Sequence, residues 1–181
     1  IKYLDNMQIY KPLDDSYFFS SFLEKYLARQ KKKNLAYLDM GTGSGILSEV
    51  ASKYLDSKNI LASDINQKAV SLVKGKGFNA IRSNLFENIN DKFDLITFNA
   101  PYLPEDKREP KDSRVATTGG KKGEEISIEF LKQAQKHLKK DGKIFLLISS
   151  LTPQGRIKKF SPRIVERKKV FTEDLLILKF S

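Results

Sequence analysis

Apolar positions alternate along the chain between short continuous runs and stretches with helical spacing, a pattern that predicts a parallel sheet flanked by helices. The first helical stretch, "SYFFSSFLEKYLARQ" (16–30), carries Phe18, Phe19, Phe22, Leu23, Tyr26 and Leu27 on one face, with Asp14 or Asp15 before it as the cap. That face is expected to lie against the sheet. Strand "LAYLDM", a glycine-rich turn, helix "ILSEVASKYL", strand "NILASD", helix "NQKAVSLVKG", a weak strand over 78–81 and strand "FDLITF" follow in βαβαβ order. A polar loop through Lys122 leads to a helix predicted over 123–140, then to strand "KIFLLISS" and a turn or short helix containing Pro153. Strands "RIVERKKVF" and "EDLLILKF" close the chain, and the few residues about Thr172 between them predict an antiparallel hairpin.

Composition narrows the function classes. With 181 residues, 40% of them hydrophobic, the chain can bury one core. No apolar run approaches the roughly 18 residues of a membrane span, and the opening "IKYLDNMQIYKPLDD" lacks the apolar core of a signal peptide, so a cytoplasmic protein without membrane contact is expected. The absence of cysteine excludes disulfides, thiolate metal ligands and a cysteine nucleophile, and the single histidine, His137, cannot build a His-rich metal cluster. No metal site is predicted. The formal charge of +11 invites a nucleic-acid or acidic-protein partner. Its lysines, however, fall in short groups beside turns and element ends, such as Lys31 to Lys33, Lys121 and Lys122, and Lys168 and Lys169, with no stripe interleaved with aromatics.

The first candidate site is "DMGTGSG" (39–45), between a strand and a helix, where Gly41, Gly43 and Gly45 let a ligand approach backbone at a helix N-terminus. Dinucleotide sites use a similar turn, but here the spacing is Gly-x-Gly-x-Gly, and Asp39 precedes it. An acid at that point attracts the cationic S-adenosylmethionine and repels a pyrophosphate. Asp64 closes the next strand, where a carboxylate can accept from both ribose hydroxyls; its alternative role is to cap the helix starting near Asn66. Asn84 follows the third strand and can meet an adenine amine, with Leu85 or Phe86 against the ring, or can simply form a turn.

The fourth strand ends in "NAPY", Asn99 to Tyr102, beside the first strand at the switch point of such a sheet. An amide nitrogen is a poor nucleophile because its lone pair is shared with the carbonyl. If the Asn99 side-chain oxygen and the Ala100 carbonyl each accept one N–H, density on nitrogen rises and the lone pair points at the methyl donor. Pro101 removes a competing donor and stiffens the turn, and Tyr102 offers a face for a planar amide or base.

On these residues the chain resembles class I S-adenosylmethionine-dependent methyltransferases, and within them the short archaeal and eukaryotic branch of the HemK family. "IYKPLDDSYFF" is similar to that family's opening Tyr-x-Pro-x-x-Asp-Thr/Ser motif, "GGKKGEEISIEFL" to its Gly-Gly-x-x-Gly-x-Glu helix start and "FTEDLLILKF" to its closing strand. The resemblance implies a Rossmann-like α/β fold: a seven-stranded, mostly parallel sheet with an antiparallel C-terminal hairpin and helices on both faces. A segment over 1–34 would cover the cofactor site of a methyltransferase domain over 35–181. It further implies methylation of the glutamine amide in the Gly-Gly-Gln motif of a class 1 translation termination (release) factor, with a small zinc-binding activator subunit as partner. Ser16, Asp39, Gly41, Asp64, Ile65 and Leu85 would then bind the cofactor, Asn84 its adenine, and Asn99 with Tyr102 the glutamine. Gly119 and Gly120 would contact the glycines beside that glutamine.

Three positions depart from the family. Ala100 replaces the first proline of Asn-Pro-Pro-Tyr, Asn84 stands where an Asp is usual, and Thr117 or Thr118 replaces an aromatic before the glycine pair. His137 is expected to serve as a charge partner at a helix C-terminus, and Glu124 with Glu125 to complement a helix start. Two other functions fit part of the pattern. An adenine methyltransferase acting on RNA or DNA uses the same amine chemistry and agrees with the charge, and a noncatalytic Rossmann-like scaffold could bind RNA or a partner protein.

Overall fold

A computed structural model describes residues 9–105 and 117–181; residues 1–8 of the N-terminal segment and the stretch of polar loop over 106–116 lie outside the described residues. The chain forms α1 (Asp14–Ala28), β1 (Tyr37–Met40), α2 (Ile46–Ser52), β2 (Ile60–Asp64), α3 (Gln67–Gly75), β3 (Asn79–Arg82), β4 (Phe93–Asn99), α4 (Glu125–Ala134), β5 (Leu138–Ser149), β6 (Arg163–Val170) and β7 (Glu173–Phe180). These strands make one seven-stranded sheet in the order β3-β2-β1-β4-β5-β7-β6. β1 pairs parallel with both β2 and β4, so the strand order reverses between β1 and β4 and opens a crevice at their carboxyl ends. β7 pairs antiparallel with β5 and with β6, as the short connection at Thr172 predicts.

Two apolar layers hold the sheet. α1 and α2 cover one face, where Phe19, Leu23 and Leu27 pack with Tyr37, Leu95, Phe145 and Ile177. α3 covers the β2 and β3 end through Val70 and Val73 against Ala62 and Ala80. α4 covers the other face, with Ile128, Phe130 and Leu131 against Leu38, Ile96, Phe98 and Leu146. Aromatic edges add directionality: Phe22 and Tyr26 both meet Phe145 edge-on at 4.8 Å.

Three local expectations are corrected. The helix predicted over 123–140 ends at Ala134, a 3-10 turn carries Gln135–His137, and Leu138 already belongs to β5. The early strand start is absorbed by an irregularity: Phe93 pairs with Leu138, the register then jumps to Leu95 with Lys143, and Asp141 takes a left-handed φ of 64°. His137 therefore lies beyond α4, in the 3-10 turn, where its Nδ1 bonds the Asp91 carbonyl at 2.9 Å and its ring stacks on Phe86. Neither Asp14 nor Asp15 caps α1, because the helix starts at Asp14 after Leu13, which makes no side-chain cap bond. Asp15 turns inward instead.

Candidate active site

The carboxyl ends of β1, β2 and β4 open into a cavity of about 580 Å3, a size typical of small-molecule sites. Its floor is acidic. Asp39 at the end of β1 is buried; its Oδ2 accepts from Thr42 Oγ1 and Ser48 Oγ, both at 2.7 Å, and from the Ser48 backbone N–H at 3.2 Å. Its Oδ1 is equally buried and has no partner. Burial pushes the carboxyl up to about 6 against the hydrogen bonds of Ser48 and Thr42, and the charge of Asp64 adds to the rise. Asp64 at the end of β2 accepts the Gly43 N–H at 2.9 Å and the Asn66 N–H at 2.8 Å, and burial likewise raises it. Asn66 rather than Asp64 caps α3, its side chain accepting from the Lys68 N–H.

A buried and a half-buried acid around an orphaned carboxylate oxygen suit a ligand carrying a cation and hydroxyl donors, and oppose a pyrophosphate. The residues present therefore fit S-adenosylmethionine. Asp39 would meet its ammonium and Asp64 its ribose, in a cavity that Asn84, Leu85, Glu129 and Gln133 also line. Because an ionised Asp39 is what attracts the cation, cofactor affinity is expected to fall below about pH 6, approaching tenfold per unit, in calorimetric titrations. The same shift has the opposite sense in the free protein. The fold holds this proton more tightly than the unfolded chain, so its contribution to stability declines as pH rises from about 4 to about 6.

Asn99 ends β4 at the mouth of this cavity. Its Nδ2 donates to Asp15 Oδ2 at 3.0 Å, and its Oδ1 is buried with no partner. The pairing fixes the amide's orientation, because a carboxylate can only accept; the amide nitrogen must face Asp15 and the oxygen is left for a ligand's N–H. Asp15 is itself held by the Ser16 N–H at 2.7 Å and by Tyr10 Oη at 3.2 Å, and Tyr10 lies over the glycine loop, 3.9 Å from where a Gly43 side chain would begin. Burial, then the charge of Asp15, raises the Tyr10 hydroxyl, so it remains a donor. Asp15→Asn gives the pair a second workable arrangement with Asn99 reversed. Turnover is expected to fall about tenfold with cofactor affinity unchanged, measured by steady-state kinetics beside calorimetry.

Of the residues singled out in the sequence, Ser16, Asp39, Gly41, Gly43, Asp64, Ile65, Asn84, Leu85, Asn99 and Pro101 line the cavity together. Gly45, Ala100, Tyr102, Gly119 and Gly120 do not line it. Gly45 stands at the N-cap of α2, and Tyr102 packs with the apolar layer under α1. Gly119 is pressed against the turn that follows β4: a Cβ there would come within 2.5 Å of the Pro101 carbonyl and closer still to that of Gly123. Backbone bonds lace the two segments, from Leu103 N–H to the Thr117 carbonyl at 2.9 Å and from Gly119 N–H to the Leu103 carbonyl at 2.8 Å. Gly119→Ala is expected to cost about 1–3 kcal/mol in denaturant unfolding, since two backbone segments must separate to admit the methyl.

Tyr10, Asp15, Glu125, Ile126, Glu129 and Gln133 belong to the site without having been read from the sequence as binding residues. For α4 a signal exists: Glu125, Glu129 and Gln133 are four residues apart and share a helix face. Glu125, expected to complement a helix start, does so by accepting the Lys122 N–H, and backbone hydrogen bonds hold its carboxyl below the usual range despite some desolvation.

Comparison with known proteins places this geometry. The family model described as "Methyltransferase small domain" matches residues 18–171. A Methanocaldococcus jannaschii protein provisionally named a protein N5-glutamine methyltransferase is 37% identical, over 94% of this chain and 90% of its own length. The release factor glutamine methyltransferase of Lactococcus lactis is 29% identical over 86% of this chain, which spans 64% of that protein. A methyltransferase crystal structure from Pyrococcus furiosus superposes with a TM-score of 0.63 at 20% identity, covering 97% of this chain and 88% of that one, a likeness of fold.

Proposed function

This chain belongs to the methyltransferase small domain family and, within it, to the HemK family, and on that premise we propose that it methylates a glutamine side-chain amide, that of the Gly-Gly-Gln motif in a class 1 release factor. The observation that carries the reading is the buried, unpartnered Asn99 Oδ1, whose orientation Asp15 imposes. Bound S-adenosylmethionine supplies an electrophilic methyl group on a sulfonium. The chain supplies the rest. Asn99 Oδ1 accepts one N–H of the planar amide and the Ala100 carbonyl accepts the other, which raises electron density on the nitrogen and orients its lone pair toward the methyl donor. Only a carbonyl is required of residue 100, so alanine serves where the family usually has proline. As the new bond forms, the amide proton becomes acidic, and Asn99 Oδ1 holds it at the cavity mouth until it leaves.

The relatives' names support glutamine as acceptor, and the +11 charge is the one observation that favours an adenine of RNA or DNA instead. Radiolabelled S-adenosylmethionine offered in parallel to a release factor, its Gly-Gly-Gln Gln→Ala variant, ribosomal RNA and duplex DNA decides between them. The arms are run with and without a small zinc-binding activator subunit, the partner that the family resemblance implies. Label is expected in the release factor alone; label in nucleic acid with the factor unmodified rejects the glutamine reading and leaves the cofactor site standing.

A further inference from the structure

Among the described residues eight large apolar side chains stand exposed, and five of them gather on one rim. Leu13 and Tyr17 flank the start of α1, Leu103 follows the Asn99 turn, Leu151 follows β5, and Phe171 tips the β6–β7 hairpin. Contacts tie these points together around the cavity mouth. Lys168 on β6 reaches Asp14 at 3.1 Å, the Ser150 N–H bonds the Asp174 carbonyl at 2.7 Å, and Thr152 Oγ1 donates to the Tyr102 carbonyl at 3.4 Å. Asp15, in the same turn of α1, holds Asn99.

Phe171 is the most exposed of the five, at 91%, and takes a φ of 50° in a turn where glycine or asparagine is the ordinary choice. It is therefore unfavourable twice over, as apolar surface in water and as a bulky side chain in left-handed backbone. Nothing in the fold is gained by it. Exposed lysines border these residues in the chain, Lys11 two residues before Leu13 and Lys169 two before Phe171, in a protein of net charge +11.

We propose that this rim docks the substrate as a folded protein, through an apolar patch bordered by acidic groups next to the side chain that receives the methyl group. Three of the five residues are leucines, which offer a nucleic acid no stacking face, whereas a cluster of apolar side chains with cations at its border matches the centre and rim of a protein interface. The proposal deepens the glutamine methyltransferase reading and rests on it for a protein acceptor.

Phe171→Asn and Leu151→Ser test it in the whole enzyme with the release factor and with a short Gly-Gly-Gln peptide. For each variant KM for the intact factor is expected to rise about tenfold, with kcat and the peptide kinetics unchanged. Thermal unfolding of Phe171→Asn is expected not to drop, which separates lost docking from lost fold. Wild-type kinetics on the factor from both variants would overturn the docking surface while leaving glutamine methylation in place. Should the factor take no label from the wild-type enzyme, the proteins and RNA of the source cells serve as acceptors. Protein labelling that both variants lose supports the rim; undiminished protein labelling, or label confined to RNA, overturns it.

Discussion

Asn99→Ala is expected to lower turnover by about a hundredfold or more while leaving S-adenosylmethionine affinity close to that of the wild type. The asymmetry follows from what the residue does. Its Oδ1 is buried and unpartnered in the absence of substrate, so its hydrogen bond counts most when the amide nitrogen develops charge. The substitution also strips Asp15 of its Nδ2 donor at 3.0 Å, and the carboxylate left at the mouth cannot replace the missing acceptor in the required direction. Single-turnover kinetics beside calorimetric binding make the comparison. A variant that keeps most of its turnover would remove Asn99 from the chemistry. Ala100→Pro is the complementary control: the carbonyl is retained, and activity should be too.

Asp64→Ala should weaken S-adenosylmethionine binding by about a hundredfold, with NAD bound by neither form. Two effects add. The carboxylate that would accept from the ribose is lost, and so are the bonds from the Gly43 and Asn66 N–H groups that tie the glycine loop to the end of β2. Asp64→Asn separates them in part, since an amide has one acceptor oxygen for two backbone donors. Unchanged cofactor affinity in Asp64→Ala would overturn the assignment of the cavity.

Much of this was legible from local pattern. β1, β2 and β4 read as apolar runs, and the acids and the amide that matter stand at their carboxyl ends, so Asp39, Asp64 and Asn99 could be placed in one crevice once the βαβαβ order was recognised. Asp15 could not be found that way. It lies 84 residues from its partner Asn99 and, placed ahead of an amphipathic helix, reads as a cap; only the packing of α1 against β1, β4 and β5 brings it to Asn99. The crowding at the glycines at 119 and 120 was not legible, because a glycine needed for ligand approach and one needed for close backbone packing look alike in sequence. The end of α4 escaped because Leu138 continues the helical spacing, while its pairing with Phe93 depends on a register irregularity between Phe93 and Leu95 of the distant strand β4.

The lacing of Leu103 to Thr117 and of Glu105 to Gly120 has a consequence for how such an enzyme can change its target. Leu103 is bonded to Thr117 and Glu105 to Gly120 just past the end of β4, so the turn after Asn99 is fastened at its own base. A change of target sought in the sequence beyond these bonds is thus expected to leave Asn99 where β4 puts it.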